Sequence, residues 1–312
     1  MTFVAPDDEA SVAAVFRLHV SDRIDRMQRL SGGVFSRAFG VDAGGERYVV
    51  RLCSFPHAAE AYAKDEYAGR QFASPALRIP RIVARGRIGD DQFAIGERIA
   101  GRTQQELTPS ERRAQVTATL DALDAVARVD VSASRGYGHW NGDGIGTSAS
   151  WHAYLAAIVE NEAAGFFRDW HALFSASFLE RDVYEAVYRT MLRLAAPCPE
   201  ERALIHNDFQ WENVLTDGRC ITGVIDWANA LYGDPLYEVA RLLWWSGWPG
   251  WWYDNVEDVL RERYGGADGF EVRVACYTCH VVLDDLRYYA TMGNRAEYDS
   301  ARDRILAFVA GT

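Results

Sequence analysis

Hydrophobic and polar positions follow two different periods along this 312-residue chain, and the change between them organises it. Val12, Val15, Phe16 and Val20 recur at helical spacing, and residues 1 to 29 read as a leading helix. From Leu30 the pattern shortens to two short strands, a Gly44-Gly45 turn and a third strand ending near Arg51. Residues 60–73 read as a helix with Pro75 and Pro80 beyond it, and Gln92 to Gly101 as an edge strand running into a glycine. From Thr108 the period is helical again: Pro109-Ser-Glu opens a helix whose buried stripe is Val116, Leu120, Leu123 and Val126. Gly136 to Gly146 reads as a glycine-rich surface loop with neither a P-loop nor a dinucleotide-binding signature. Residues 151–196 read as two or three helices. Asp234 and Pro235 stand as N-cap and first residue of another, and a closing helix runs from Arg295 to Val309.

Between the helices lies one stretch of β-like pattern that carries chemistry. Leu204 to Trp227 places Asp208 and Asn213 five residues apart after the short apolar run Ala203-Leu204-Ile205. Val214-Leu215, a turn at Asp217-Gly218 and the run Ile221 to Ile225 then form a hairpin that ends on Asp226. An Asn before the first strand and an Asp after the second come together in such a hairpin, a pairing suited to one hard cation. Asp208 stands a few residues away and can handle a proton.

Composition narrows the classes. A hydrophobic content of 49%, with 12% aromatic residues, requires a folded globular protein. The net charge of −11 and the absence of a basic run exclude a nucleic-acid surface, while an acidic surface suits a cationic small molecule. Five scattered cysteines do not form a disulfide framework, and Cys276-x-x-Cys279, without a second pair, reads as core thiols. No signal peptide or membrane span is legible; the segment from Leu236 to Trp252 holds Glu238 and Arg241 and is too polar to cross a bilayer. A cytoplasmic protein without membrane partners is expected, as a monomer or weak dimer.

The spacing H-x-D-x-x-x-x-N followed by an apolar residue and Asp resembles the catalytic and metal loops of protein-kinase-like phosphotransferases. His206-Asn207-Asp208, Asn213-Val214-Leu215, Ile225-Asp226-Trp227 and Gly233-Asp234-Pro235 are similar to the aminoglycoside phosphotransferase family, which usually has Gly where Asn207 stands. The resemblance implies an α+β, protein-kinase-like two-lobed fold, with a small β-rich N-lobe (1–100) and a larger, mainly helical C-lobe (101–312). It implies ATP, with GTP as an alternative, and Mg²⁺ held by Asn213 and Asp226. Asp208 would be the positioning base, and His206 an anchor for the loop. Ser31, Gly32 and Ser36 would lay backbone amides over the phosphates, and the backbone of Glu97 and Ile99 would bond the adenine. Arg51 stands where the family places a lysine; its planar fork suits phosphate, with nearby Lys64 as the alternative contact. Asp65, rather than Glu66, is the acid that family spacing pairs with that cation.

Within the family, Ser36-Arg37-Ala38-Phe39, Tyr48-Val49-x-Arg51, Phe72-Ala73-Ser74, Gly144-Ile145-Gly146, Tyr237-Glu238-Val239-Ala240 and the Trp245-x-x-Trp248 pair are similar to the hygromycin B phosphotransferases. This implies a cationic antibiotic as acceptor, with Asp208, Asn229, Trp245, Trp248 and Asp284 as its contacts. Three of the five tryptophans between 244 and 252 read as core; Trp245 and Trp248 flank a Ser-Gly-x-Pro-Gly break and can offer flat faces to a sugar. Two other readings stay open: a kinase of another amine-bearing small molecule, and a nucleotide-binding pseudokinase, for which the departure at Arg51 is the one supporting feature.

Overall fold

The computed structural model describes residues 8–30, 36–55, 57–246 and 256–311. In chain order, α1 (Asp8–His19) precedes β1 (Arg26–Arg29), β2 (Arg37–Ala43), β3 (Glu46–Cys53), α2 (Ala58–Gln71), β4 (Ile82–Ile88), β5 (Asp91–Glu97) and β6 (Arg102–Thr103). Then come α3 (Pro109–Ala114), α4 (Val116–Ala127), β7 (Tyr137–Trp140), β8 (Gly146–Ser148), α5 (Trp151–Ala156), α6 (Leu173–Ala176) and α7 (Arg181–Ala195). The chain closes with β9 (Ala203–Ile205), β10 (Val214–Thr216), β11 (Ile221–Val224), β12 (Leu231–Gly233), α8 (Leu236–Ser246), α9 (Val256–Tyr264), α10 (Phe270–Met292) and α11 (Arg295–Ala310).

Two compact units emerge, both discontinuous in sequence. The first comprises Met1–Ser134, Trp140–Ile145 and Asp208–Ala230; the second Arg135–His139, Gly146–Asn207 and Leu231–Thr312. The lobe boundary expected at residue 100 falls inside the first unit, just before β6 pairs with β10.

The first unit is built on an antiparallel sheet of order β1-β2-β3-β5-β4. Gly44 and Gly45, with φ of 62° and 91°, supply the left-handed turn that a tight hairpin between β2 and β3 requires. Val12, Val15 and Phe16 of α1 bury against Phe39, Val41, Val50, Leu52, Phe93 and Ile95 of the sheet. The helical reading of residues 1 to 29 is correct for α1 alone, because Arg26–Arg29 pairs with Phe39 to Asp42 as β1. The strand at Gln92 is not an edge: β5 lies between β3 and β4. Its partner Ile82–Ile88 escapes notice because arginines and a glycine dilute the apolar alternation.

The helix after Thr108 is two helices separated at Gln115, with Thr108 capping the first by accepting from the amide of Glu111. Residues 136–146 are not a surface loop, since they include β7 with Trp140 only 2% exposed. Trp140 packs against Tyr67 and Phe72, and a Cβ at Gly144 would lie 2.1 Å from the Tyr67 hydroxyl oxygen. Glycine there makes room for an aromatic neighbour.

The second unit centres on α10, which contacts α7, α8 and α11, beside a small antiparallel sheet of order β8-β7-β12-β9. Asp234 caps α8 as the sequence implies, its Oδ1 accepting from the amide of Leu236 at 2.9 Å. The fully buried carboxylate also takes two bonds from Arg273 on α10, at 2.6 and 2.7 Å, and one from the Tyr277 hydroxyl. Removing one partner of such a buried pair costs about 3–5 kcal/mol, so Asp234 is a structural junction as well as a cap. Cys276 and Cys279 lie buried on α10 as free thiols, in line with their reading as core.

Candidate active site

The hairpin that carries the candidate chemistry forms as its pattern predicts. Val214 faces Val224 and Leu215 faces Gly223, with a bulge before Thr216. Asp217 closes the turn by accepting from the amides of Arg219 and Cys220, both at 2.8 Å. The amide of Ile225 donates to the carbonyl of Asn213 at 2.9 Å, which ties the residue before β10 to the residue after β11. Asp208, Asn213 and Asp226 all belong to the first unit.

Asp208 is half-buried and already oriented. Its Oδ2 accepts from Asn213 Nδ2 at 3.1 Å, and the same amide nitrogen donates to the Asp208 carbonyl at 2.9 Å. Its Oδ1 accepts from the side-chain amide of Gln210. Gln210 was not singled out in the sequence; an amide two residues from a candidate base is the only signal that could have found it. With Nδ2 of Asn213 committed to Asp208, Oδ1 is the atom left for a cation.

Asp226 adopts the left-handed backbone region, φ 64°, unusual for a residue other than glycine. Its side chain reaches solvent but stands among dense protein. That enclosure, with the charge of Asp65 and, less strongly, of Asp208, pushes its carboxyl up to about 6 against the pull of Arg51. A carboxylate made reluctant to ionise, with two others within its electrostatic reach, favours a cation beside it. Among the described residues no group of three or more His, Cys, Asp or Glu side chains is arranged to hold a metal by itself. Asp226 with Asn213 Oδ1 fits Mg²⁺, which takes one or two protein oxygens and completes its shell with water and phosphate.

Arg51, on β3, forms an ion pair with Asp65 on α2, the partner that spacing selects. The guanidinium carbon also lies 4.7 Å from the ring centroid of Tyr62, one turn earlier on the same helix. Burial alone would favour loss of the Arg51 proton, and the charges of Asp65 and Asp226 more than reverse that, so its pKa rises. Lys64, the alternative cation, is placed differently. Lys64 is 4% exposed, and its Nζ donates to the carbonyls of Ala228 and Ala230. Its ammonium is bonded to the backbone and also stands within electrostatic reach of Asp65, Glu60 and Asp226.

Of the remaining candidates, Ser31, Gly32 and Trp248 lie outside the described residues. Ser36 immediately precedes β2. The amide of Glu97 is bonded to the carbonyl of Arg81 at 3.0 Å, so an adenine contact here rests on the Glu97 carbonyl and the Ile99 amide. Asn229 is exposed in the segment following Asp226. In the second unit, Trp245 is half-buried near the end of α8. Asp284 on α10 accepts from Arg287 at 2.8 and 3.0 Å, and the same guanidinium reaches Glu162 at 2.8 Å. Burial works against the Asp284 charge, but Arg287 overrides it and holds the carboxyl below the usual range.

A carboxylate held by its own loop, two oxygen-bearing side chains on one hairpin and an arginine paired to a helix acid are the parts that a phosphoryl-transfer site calls for. Residues 26–275 match the phosphotransferase enzyme family. The chain belongs to that family. Hygromycin-B 4-O-kinase of Escherichia coli is 33% identical over 305 residues, which cover 97% of this chain and 86% of the relative. The crystal structure of aminoglycoside phosphotransferase APH(4)-Ia superposes with a TM-score of 0.83 at 31% identity, covering 97% of this chain and 98% of that one. A thermostable mutant of the same enzyme, in ternary complex with AMP-PNP and hygromycin B, gives 0.84 at 31% identity over 96% of this chain and 98% of that chain. A gentamicin complex of APH(2")-IIa, at 18% identity and a TM-score of 0.61, shares the fold alone. The phosphotransferase therefore has the α+β, protein-kinase-like two-lobed fold that its motifs imply. Among the described residues no helix is long and apolar enough to cross a membrane.

Proposed function

We propose that this phosphotransferase moves the γ-phosphoryl group of ATP to a hydroxyl of hygromycin B and so inactivates the antibiotic. The observation that carries the reading is the oriented Asp208, with Asn213 and Asp226 tied across one hairpin. The relative that acts on hygromycin B is similar over nearly the whole chain, which supports the acceptor. Five free cysteines and an acidic composition suit the cytoplasm, where ATP is available.

The chemistry is mostly geometry and electrostatics. Asp208 accepts a hydrogen bond from the attacking hydroxyl and aligns its oxygen with the γ-phosphorus. As the new O–P bond forms, the bond to the β–γ bridging oxygen breaks, ADP departs and Asp208 takes up the hydroxyl proton. Gln210 and Asn213 keep the carboxylate from rotating away. Mg²⁺, when bound, would supply charge neutralisation on the triphosphate, with Asn213 and Asp226 as its protein ligands. Arg51 adds a fixed positive charge toward the phosphates, and the Glu97 and Ile99 backbone groups receive the adenine. Asn229, Trp245 and Asp284 are assigned to the acceptor.

ADP release with Mg-ATP and hygromycin B, run beside Asp208→Asn, tests this. Acceptor-dependent turnover that vanishes in the variant supports the reading. Turnover only with another amine-bearing acceptor removes hygromycin B and keeps the chemistry. Nucleotide binding without turnover on any acceptor overturns the enzyme assignment in favour of a pseudokinase.

A further inference from the structure

We propose that Lys64, the only lysine in the chain, is a positioning residue that clamps the segment after Asp226 onto α2 and thereby sets the metal-binding end of the site. This rests on the reading of Asp226 as a metal ligand. The clamp has two jaws, contributed by consecutive residues of α2. Asp65 Oδ1 accepts from the amide of Trp227 at 2.8 Å. Lys64 Nζ donates to the carbonyl of Ala230 at 3.0 Å and to that of Ala228, and lies 4.9 Å from the ring centroid of Trp140. A carboxylate holds an amide and an ammonium holds two carbonyls, so the segment from 227 to 230 is gripped through groups of both polarities.

Asp226 itself shows what the clamp is for. Its left-handed backbone, φ 64°, is uncommon outside glycine, and aspartate is among the residues that reach it where local contacts favour it. The groups that Asp65 and Lys64 hold sit immediately after it. Cut the Lys64 bonds, and the carbonyls of 228 and 230 lose their tie to α2, so that the segment holding Asp226 can shift and carry its carboxylate away from Asn213. Lys64 is 4% exposed with its ammonium bonded to Ala228 and Ala230, so its replacement removes no solvent-facing cation. Asp65 is the weaker handle for a test, because it serves Arg51 as well.

A residue that merely stabilises the fold would weaken every ligand alike, whereas a residue that positions a metal ligand acts only through the metal. AMP-PNP binding is therefore measured by calorimetry in EDTA and across a Mg²⁺ titration, for the full chain and for Lys64→Met and Lys64→Gln. Hydrogen exchange over residues 226–230 is followed without metal. The expected result is unchanged AMP-PNP affinity in EDTA, a rise of about 10- to 100-fold in the Mg²⁺ needed for half the metal-dependent gain, and faster exchange at 227–230. Equal losses with and without Mg²⁺, or variants that titrate like the parent, overturn the proposal. If the parent shows no metal-dependent gain, the metal reading fails on its own, and the exchange data still decide the clamp: unchanged exchange in the variants sinks it. Should neither variant fold, acylation of the parent by an N-hydroxysuccinimide ester reports on Lys64, since only the terminal amine competes. Slow acylation upholds a closed clamp, and labelling at the rate of an exposed amine overturns it.

Discussion

The amide of Asn207 donates to Oε2 of Glu238 at 2.5 Å from a left-handed backbone, φ 60°. That explains why a position usually occupied by glycine in the resembling family tolerates asparagine, since these two residues adopt this region most readily. Asn207→Gly should cost less than a β-branched replacement, because glycine adopts this φ freely and the backbone bond to Glu238 survives. Asn207→Val should cost roughly 1–2 kcal/mol or more, as a β-branched residue cannot hold this φ without strain. Urea denaturation of the three proteins reads the difference. Equal stabilities would show that the turn is not under conformational constraint.

Asp208 accepts from side-chain amides on both oxygens, so asparagine preserves size and keeps one of the two bonds while turning the other acceptor into a donor. Asp208→Asn should lower kcat by about 10²–10⁴ while the KM for ATP stays close to that of the parent. Steady-state kinetics with the acceptor at saturation check this. A large rise in the KM for ATP with kcat preserved would remove Asp208 from its role as base.

The geometry of the candidate site is legible in the sequence where it is local. Asp208, Asn213 and Asp226 belong to one loop and one hairpin, so spacing and turn chemistry suffice to bring them together. Arg51 with Asp65 needed family spacing as well, because a strand and the next helix can meet in several registers. Lys64 was illegible. Its partners are main-chain carbonyls 164 and 166 residues away, and a carbonyl has no signature in a sequence. Residues 136–146 were misjudged for a related reason: glycines that admit Tyr67 and Tyr154 look like glycines that loosen a loop. The error at β5 follows from β4, whose polar positions hid the neighbour that makes β5 an inner strand.

Arg51 does two things that separate on mutation. It neutralises Asp65, which is 5% exposed, and its plane is backed by the Tyr62 ring. Arg51→Met strands a buried carboxylate and should cost about 3–5 kcal/mol of stability. Arg51→Lys keeps the charge but loses the planar fork and the stacked contact, so stability should fall by much less while the KM for ATP rises several-fold. Thermal unfolding beside ATP kinetics distinguishes the two. If both variants lose stability equally, the charge on Asp65 is not what Arg51 stabilises.

Asp285 supplies a pH dependence with a definite sign. It is 5% exposed on α10, where it accepts from Trp244 Nε1 at 3.1 Å. Burial pushes its carboxyl up to about 7, with Arg241 opposing and Asp284 adding. The unfolded chain titrates this group near the ordinary value of about 3.9. Between those values the folded protein holds a proton that the unfolded protein releases, so this group's contribution is fully present below about pH 4 and is lost as pH rises through 7. A shift of about three units corresponds to an amount of the order of 4 kcal/mol across that window. Asp285→Asn cannot titrate, and its amide oxygen can still accept from Trp244. Unfolding free energies of parent and variant at pH 5 and pH 8 isolate the effect, because every other titrating group cancels in the difference. The variant should gain on the parent as pH rises. A difference that stays constant across the window would mean that Asp285 is ionised in the folded protein throughout, held so by Arg241.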